Sequence, residues 1–259
     1  MTILQAAVYG FLQGAAEFLP ISSSAHLSLL PWILGLDDPG LAFDVALHAG
    51  TLGALALYFW RDWLDMLRGA LRDPRSAEAR LLLGIVCASV PGAFAGLLLE
   101  KQAETIFRTP ALTAATLILF GLAMGWADLR GHKASPLPSL TLRQAVLIGL
   151  AQALAIVPGV SRSGVTITAG LLLGLESASA ARFSFLLAMP ITFGAVLVKV
   201  PKIGPALLEP ASLTGIAVSA IVGALAIRFL LEHLKKRSLR PFVLYRLALG
   251  AFILVLAFR

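Results

Sequence analysis

Apolar residues run along this chain in long blocks, interrupted at two places by short polar clusters of similar build. The blocks at about 43–60, 81–99 and 110–128 predict three membrane-spanning helices, since roughly 20 consecutive apolar residues cross a bilayer core. Ahead of them, residues 3–20 are apolar but carry Gln5, Gln13 and Glu17 and end at Pro20. The cluster Ile21-Ser22-Ser23-Ser24-Ala25-His26 follows, then a short apolar piece, Leu27–Leu36. Each piece is short for a span and the break between them is polar. That predicts a helix pair that dips into the membrane and returns, with its irregular backbone lining a cavity.

The second half repeats this plan. Aligning Gln5 with Gln144 superposes Ala6 on Ala145, Gly10 on Gly149, Gln13 on Gln152, Ser22 on Ser161 and Ser24 on Ser163. Gly84-Ile85 then resembles Gly215-Ile216, and Gly92-Ala93 resembles Gly223-Ala224. Together the pairs indicate an internal duplication. The expected organisation is one integral membrane domain over 1–259, with a first repeat over 1–130 and a second, inverted repeat over 140–259. The expected fold class is an all-α polytopic membrane protein. Each half holds a re-entrant helix pair (3–36 and 144–175) and three transmembrane helices, giving six spans and four half-helices.

Composition and charge agree. Hydrophobic residues make up 58% of the 259 and charged ones only 14%, with mean hydropathy +0.88; a soluble domain carries about a quarter charged residues. The net charge of +7 is clustered rather than spread. Arg61, Arg68, Arg72, Arg75 and Arg80 form one group, Arg130, Lys133 and Arg143 a second, and Lys235, Lys236, Arg237 and Arg240 a third. Six spans put the connections 61–80, 129–143 and 232–240 on one side, the cytoplasmic one by the positive-inside rule. Connections 100–109 and 199–212 fall opposite, with only Lys101, Arg108, Lys199 and Lys202. The clustering argues against nucleic acid as a partner. The single cysteine, Cys87, excludes an intrachain disulfide. No basic residue precedes the first apolar stretch, so a cleaved signal peptide is not expected.

Two charges are hard to place against lipid. Glu17 and Arg162 would each cost about 2.5–3.5 kcal/mol at the centre of a helix in the bilayer, a penalty removed if they pair in a cavity. A bare pair would not need the serines, glycines and histidine around it. Gln13 and Glu17, four apart, present two oxygen ligands on one helix face, enough for Mg²⁺ or Ca²⁺ if substrate phosphate and water complete the shell. Ser22, Ser23, Ser24 and His26 offer hydroxyls and an imidazole for nucleophilic or acid–base work, although serines at a helix break also serve as caps. In Pro158-Gly159-Val160-Ser161-Arg162-Ser163-Gly164-Val165-Thr166 the glycines let backbone approach a ligand, and the arginine fork fits phosphate oxygens.

Glu17 through His26, preceded by Gln13, resembles the first signature of the undecaprenyl-diphosphate phosphatases, also called bacitracin-resistance proteins. Pro158 through Thr166 resembles their second. Serine at 24 and alanine at 25 stand where some relatives have threonine and glycine. The resemblance implies divalent-metal-dependent hydrolysis of the terminal phosphate of a C55 polyprenyl diphosphate, recycling the lipid carrier of cell-wall synthesis. It implies a bacterial inner membrane, a site opening to the periplasmic face, membrane lipids as surroundings, and leaves room for a homo-oligomer. By position, Glu17 and Gln13 would hold Mg²⁺ or Ca²⁺, and Arg162 would clamp the diphosphate. Ser22, Ser24, Ser161, Ser163, Gly164 and Thr166 would bind phosphate oxygens. Ser23 and His26 compete for nucleophile or acid–base duty.

Weaker candidates remain. Asp44 and His48 either reach the cavity or pair within the bundle; Arg182 is expected to snorkel, and His132 and His233 to be solvated. Trp32, Trp60, Trp63 and Trp126 lie near span ends, as in an aromatic belt. No nucleotide-binding glycine loop or zinc spacing occurs, and the Pro-Ser-Gly-His signature of acid-phosphatase-like membrane enzymes is missing. A lipid-phosphate flippase of the same architecture is the rival reading; Ser23 and His26 beside Glu17 favour the enzyme.

Overall fold

The computed structural model describes residues 1–35, 37, 39–99, 102–103, 106–131 and 134–257, without the side chains of 41, 108, 201–203 and 205. Leu36, Lys101, His132 and Lys133, and the side chains of Arg108 and Lys202, therefore lie outside the described residues. The described residues form ten helices of eleven residues or more and no strand, with one isolated bridge between Ser135 and Leu175. Six helices are long and apolar enough to cross a membrane: α3 (Leu41–Arg72), α4 (Ala77–Leu98), α5 (Pro110–Arg130), α8 (Ser177–Ile203), α9 (Pro210–Leu234) and α10 (Arg240–Ala257). This is a multi-pass membrane protein. The other four, α1 (Ile3–Phe18), α2 (Ser23–Leu34), α6 (Leu142–Ala153) and α7 (Arg162–Leu172), have 16, 12, 12 and 11 residues. At 1.5 Å per residue each falls short of the ~30 Å hydrocarbon core.

The four short helices come in two pairs built with the same devices. α1 opens on a capping box in which Thr2 and Gln5 satisfy each other's backbone N–H groups, and α6 opens on the same box from Thr141 and Gln144. α1 stops because Leu19 precedes a proline and is pushed out of the helical region, to φ −66 and ψ 140. α6 tightens into a 3₁₀ turn at Leu154–Ile156 and stops at Val157, likewise before a proline and likewise extended. After each break the chain re-enters a helix through a serine with positive φ, Ser22 at 74° and Ser161 at 69°. These are the only non-glycine residues described with positive φ. Such a conformation costs about 1–3 kcal/mol and persists only where the surroundings enforce it.

The short helices are embedded by close backbone contact with long ones. α1 packs along α9, and α6 along α4. A Cβ on Gly14 would lie 2.7 Å from the Ser219 carbonyl oxygen of α9, and one on Gly149 would lie 2.4 Å from the Ala88 carbonyl oxygen of α4. Neither position can carry a side chain, and small residues are what lets helices approach without a hydrophobic drive between them. α3 packs on α9, and α5 on α10. The largest apolar cluster centres on Phe18, Phe59 and Phe185, with Phe18 and Phe185 edge to face at 5.5 Å. Leu57, Leu83, Phe94, Leu119 and Leu225 point outward, as a lipid-facing surface requires.

The connections are shorter than expected. The chain between 61 and 72 is not a loop: α3 continues through Arg61 and Arg68 to Arg72, and only residues 73–76 connect it to α4. Nothing before Asp73-Pro74 breaks the helix, and the arginines and leucines of this stretch are good helix formers. The third basic connection is correspondingly short, residues 235–239 between α9 and α10.

Candidate active site

The two breaks meet, and the group at their meeting point is the Glu17 carboxylate at the end of α1. Arg162, the first residue of α7, places Nη2 2.5 Å from Glu17 Oε1. Ser23, the first residue of α2, donates from Oγ to Glu17 Oε2 at 2.5 Å. Gln13, one turn back on α1 and fully buried, donates from Nε2 to the same oxygen at 3.3 Å. The side chains of Glu17 and Arg162 are only 10% and 14% exposed, so this is a sheltered pair rather than a surface bridge. Each new helix thus presents its first side chain to one oxygen of the same carboxylate.

Two polar atoms here have no partner. Gln13 Oε1 and Arg162 Nη1 are both buried and make no hydrogen bond. A buried unpaired donor or acceptor costs about 1–3 kcal/mol, more when charged. One is an acceptor beside a carboxylate and the other a cationic donor beside the same carboxylate. A hard cation fits the first, and a phosphate oxygen fits the second. Among the described residues no group of three His, Cys, Asp or Glu side chains gathers, so a cation at Gln13 and Glu17 would draw its remaining ligands from substrate and water.

The other expected residues sit in three places. Ser22, Ser24, Ser161 and Ser163 line the breaks: Ser22 Oγ and Ser24 Oγ are 3.1 Å apart, and Ser161 Oγ and Ser163 Oγ 3.3 Å. Ser163 also donates to the Leu19 carbonyl at 3.3 Å, a bond from the second break to the first, while Ser161 caps α7 by accepting from Gly164 N–H at 3.1 Å. Thr166 turns the other way. Its hydroxyl is 2.6 Å from Ser184 Oγ on α8 and donates to the Arg162 carbonyl at 2.7 Å, with no bond to the carboxylate group. His26 lies beside the site, Nδ1 2.7 Å from the Ser22 carbonyl and Nε2 2.6 Å from Tyr245 Oη. A carbonyl only accepts, so Nδ1 carries the proton and the Tyr245 hydroxyl donates to Nε2. The Tyr245 and His26 rings stack 9° from parallel.

Of the weaker candidates, His48 hydrogen-bonds through Nδ1 to the Asp44 carbonyl at 2.7 Å. Arg182 pairs with Asp62 and lies over the Phe59 ring. His233 is half-buried, packs beside Phe229 and Phe242, and bonds the Ser238 carbonyl through Nε2 at 3.0 Å.

Two neighbours on α10, Tyr245 and Arg246, complete the surroundings and were not singled out from the sequence. Arg246 is wholly buried and reaches both breaks. Its signal was available: a lone arginine within the apolar run that begins at Phe242 is as costly against lipid as Glu17 or Arg162.

Comparison with known proteins gives the same direction. The family described as bacitracin resistance protein BacA matches residues 6–252. A Moorella thermoacetica protein named undecaprenyl-diphosphatase is 52% identical over 253 residues, covering 98% of this chain and 97% of its own. Proteins of the same name from Pelotomaculum thermopropionicum and Geobacter metallireducens are 51% and 48% identical over 257 and 268 residues, covering 99% and 100% of this chain and 97% and 99% of theirs. A match over nearly the whole length, at about half the positions, takes in both breaks and all six long helices. The chain belongs to the bacitracin resistance protein BacA family.

Proposed function

We propose that this protein hydrolyses the terminal phosphate of undecaprenyl diphosphate, releasing orthophosphate and undecaprenyl phosphate and so returning the lipid carrier to cell-wall synthesis. The observation that carries this reading is the pair of unpartnered atoms, Arg162 Nη1 and Gln13 Oε1, flanking a carboxylate that already holds a serine hydroxyl. The homologues' shared name supplies the lipid.

The geometry supports the following chemistry. A diphosphate entering the site competes with Glu17 for the Arg162 guanidinium, whose fork takes two phosphate oxygens at once. Glu17 is thereby released toward Ser23. Ser23 Oγ attacks the terminal phosphorus while its proton passes to Glu17 Oε2. The bond from phosphorus to the bridging oxygen breaks, and undecaprenyl phosphate leaves with the electron pair and takes the proton. Water then attacks the phosphoserine, giving its proton to Glu17, which returns it to Ser23 Oγ as orthophosphate departs. His26 points Nε2 at Tyr245 rather than at the carboxylate, so Ser23 is the better-placed nucleophile and His26 is left to proton transfer. Ser161, Ser163 and the first turn of α7 offer hydroxyls and N–H groups to the phosphate oxygens. Glu17 and Gln13 would hold Mg²⁺ or Ca²⁺, which when bound neutralises charge on the diphosphate.

For the membrane arrangement, we read 1–130 and 140–259 as inverted halves of one domain, with α1–α2 and α6–α7 re-entering the bilayer. The twin capping boxes, proline stops and positive-φ serines support it. The basic ends of α3, α5 and α9 support a cytoplasmic side there, in a bacterial inner membrane, with the site open to the outer face. Purified protein in detergent, given farnesyl diphosphate and Mg²⁺, should release orthophosphate, and EDTA should stop it. Binding of the diphosphate without any release would favour a transporter instead.

A further inference from the structure

Where a helix breaks, the last carbonyls lose their intrahelical partners, and inside a membrane no water layer replaces them. The carbonyls of Pro20, Gly159 and Val160, in the breaks that follow α1 and α6, likewise lack a helical partner, and one side chain takes all three. Arg246, wholly buried on α10, donates from Nη1 to Pro20 O at 3.3 Å and from Nη2 to Gly159 O at 2.8 Å and Val160 O at 3.1 Å. Its Nε reaches Leu117 O on α5 at 3.3 Å. A Cβ on Gly164 would lie 2.9 Å from Arg246 Nη1, so the guanidinium lies directly beneath the first turn of α7.

We propose that Arg246 is the positioning residue that fixes the two breaks to each other, and with them the distance between Ser23 and Arg162. Pro20 is three residues before Ser23, and Val160 two before Arg162. A carbonyl that drifts carries its reacting side chain with it. A buried cation with only carbonyl partners is an expensive way to hold a fold together; a planar fork with separated donors is what bridging two loops needs. Lysine, with three donors on one atom, cannot span the same carbonyls. Arg246 touches neither Glu17 nor Arg162, so it acts through the loops. The catalytic half of this proposal rests on the phosphatase reading above; the structural half does not.

The test uses Arg246→Lys and Arg246→Met in detergent, with amide hydrogen exchange and steady-state phosphate release measured together. In the lysine variant, exchange in 19–23 and 158–164 should rise about tenfold while the long helices stay unchanged. Its kcat should fall about 100-fold, as for a displacement of about 1 Å, with KM within about threefold. Wild-type exchange in either loop, or faster exchange throughout the chain, would overturn the bridging role. Wild-type kcat in the lysine variant would also overturn it, by showing that charge alone suffices. If the methionine variant fails to fold, the lysine variant decides. Absence of phosphate release by the wild type would sink the proposed reaction and leave the exchange result to judge Arg246.

Discussion

Ser23 and Arg162 occupy matching places, each the first residue of the helix that follows a break, and they bind opposite oxygens of Glu17. The offset that aligns Ser22 with Ser161 and Ser24 with Ser163 also aligns Ser23 with Arg162, His26 with Val165, and Glu17 with Ile156. Two breaks of similar build thus carry unlike chemistry: carboxylate, hydroxyl and imidazole on one side, guanidinium on the other. Glu17→Ala and Arg162→Ala should each abolish phosphate release while folded protein still accumulates in the membrane. Arg162→Lys should lose at least about 100-fold, because an ammonium cannot hold two phosphate oxygens in a fork. Ser23→Ala should stop turnover and prevent any trapped phosphoenzyme, and His26→Ala should slow turnover but still permit trapping. Trapping in Ser23→Ala would move the nucleophile elsewhere. Gln13→Ala should be milder and should raise the Mg²⁺ concentration needed, read from a metal titration. These residues were legible in the sequence because polar groups in apolar runs are costly and must have partners. Arg246 and Tyr245 obey the same rule, yet no neighbouring motif marks them; only the packing of α10 shows what they reach.

At the scale of elements, the short helices depend on glycine at their contacts with α9 and α4. Gly14→Val should separate α1 from α9 and cost about 1–3 kcal/mol, as overpacking does, seen as a lower thermal midpoint in detergent. Gly53→Ala on α3, where an added Cβ meets nothing within 4 Å, should leave the midpoint unchanged. An equal loss in both would mean that the close approach of α1 and α9 is not what holds the break in place. The existence of the short helices was legible from the polar stretches at Pro20 and Pro158, since a proline disfavours helix in the residue before it. The left-handed serines after them were not, because nothing in a serine's chemistry favours positive φ; the packing of both sides imposes it. The reach of α3 to Arg72 was hidden for the opposite reason. A row of arginines looks like a loop when hydropathy alone is followed, whereas the backbone has no reason to stop before Pro74.

For the molecule as a whole, the charge asymmetry predicts an orientation with the basic connections on the cytoplasmic side. Ser76 caps α4 in the 73–76 connection and Ser238 lies in the 235–239 connection, both beside basic clusters. Cysteines placed there singly, with Cys87 first replaced by alanine, should resist an impermeant thiol reagent in intact cells and react after permeabilisation. Labelling of both from outside would reverse the orientation and put the catalytic opening on the wrong face for an outward-facing site. The same spans that make the molecule hydrophobic bring two polar breaks to one carboxylate, and neither break holds the full set of groups alone.

Single-turnover release of orthophosphate from undecaprenyl diphosphate is the most direct measure of that joint site. Wild type, Ser23→Ala and Arg162→Ala should be compared at matched amounts of folded protein. Release by the wild type with Mg²⁺, and none from either variant, one altered in each break, is the expected result. Release by Arg162→Ala at a rate within about tenfold of wild type would contradict the account, since a lost charged contact in the transition state costs more than that.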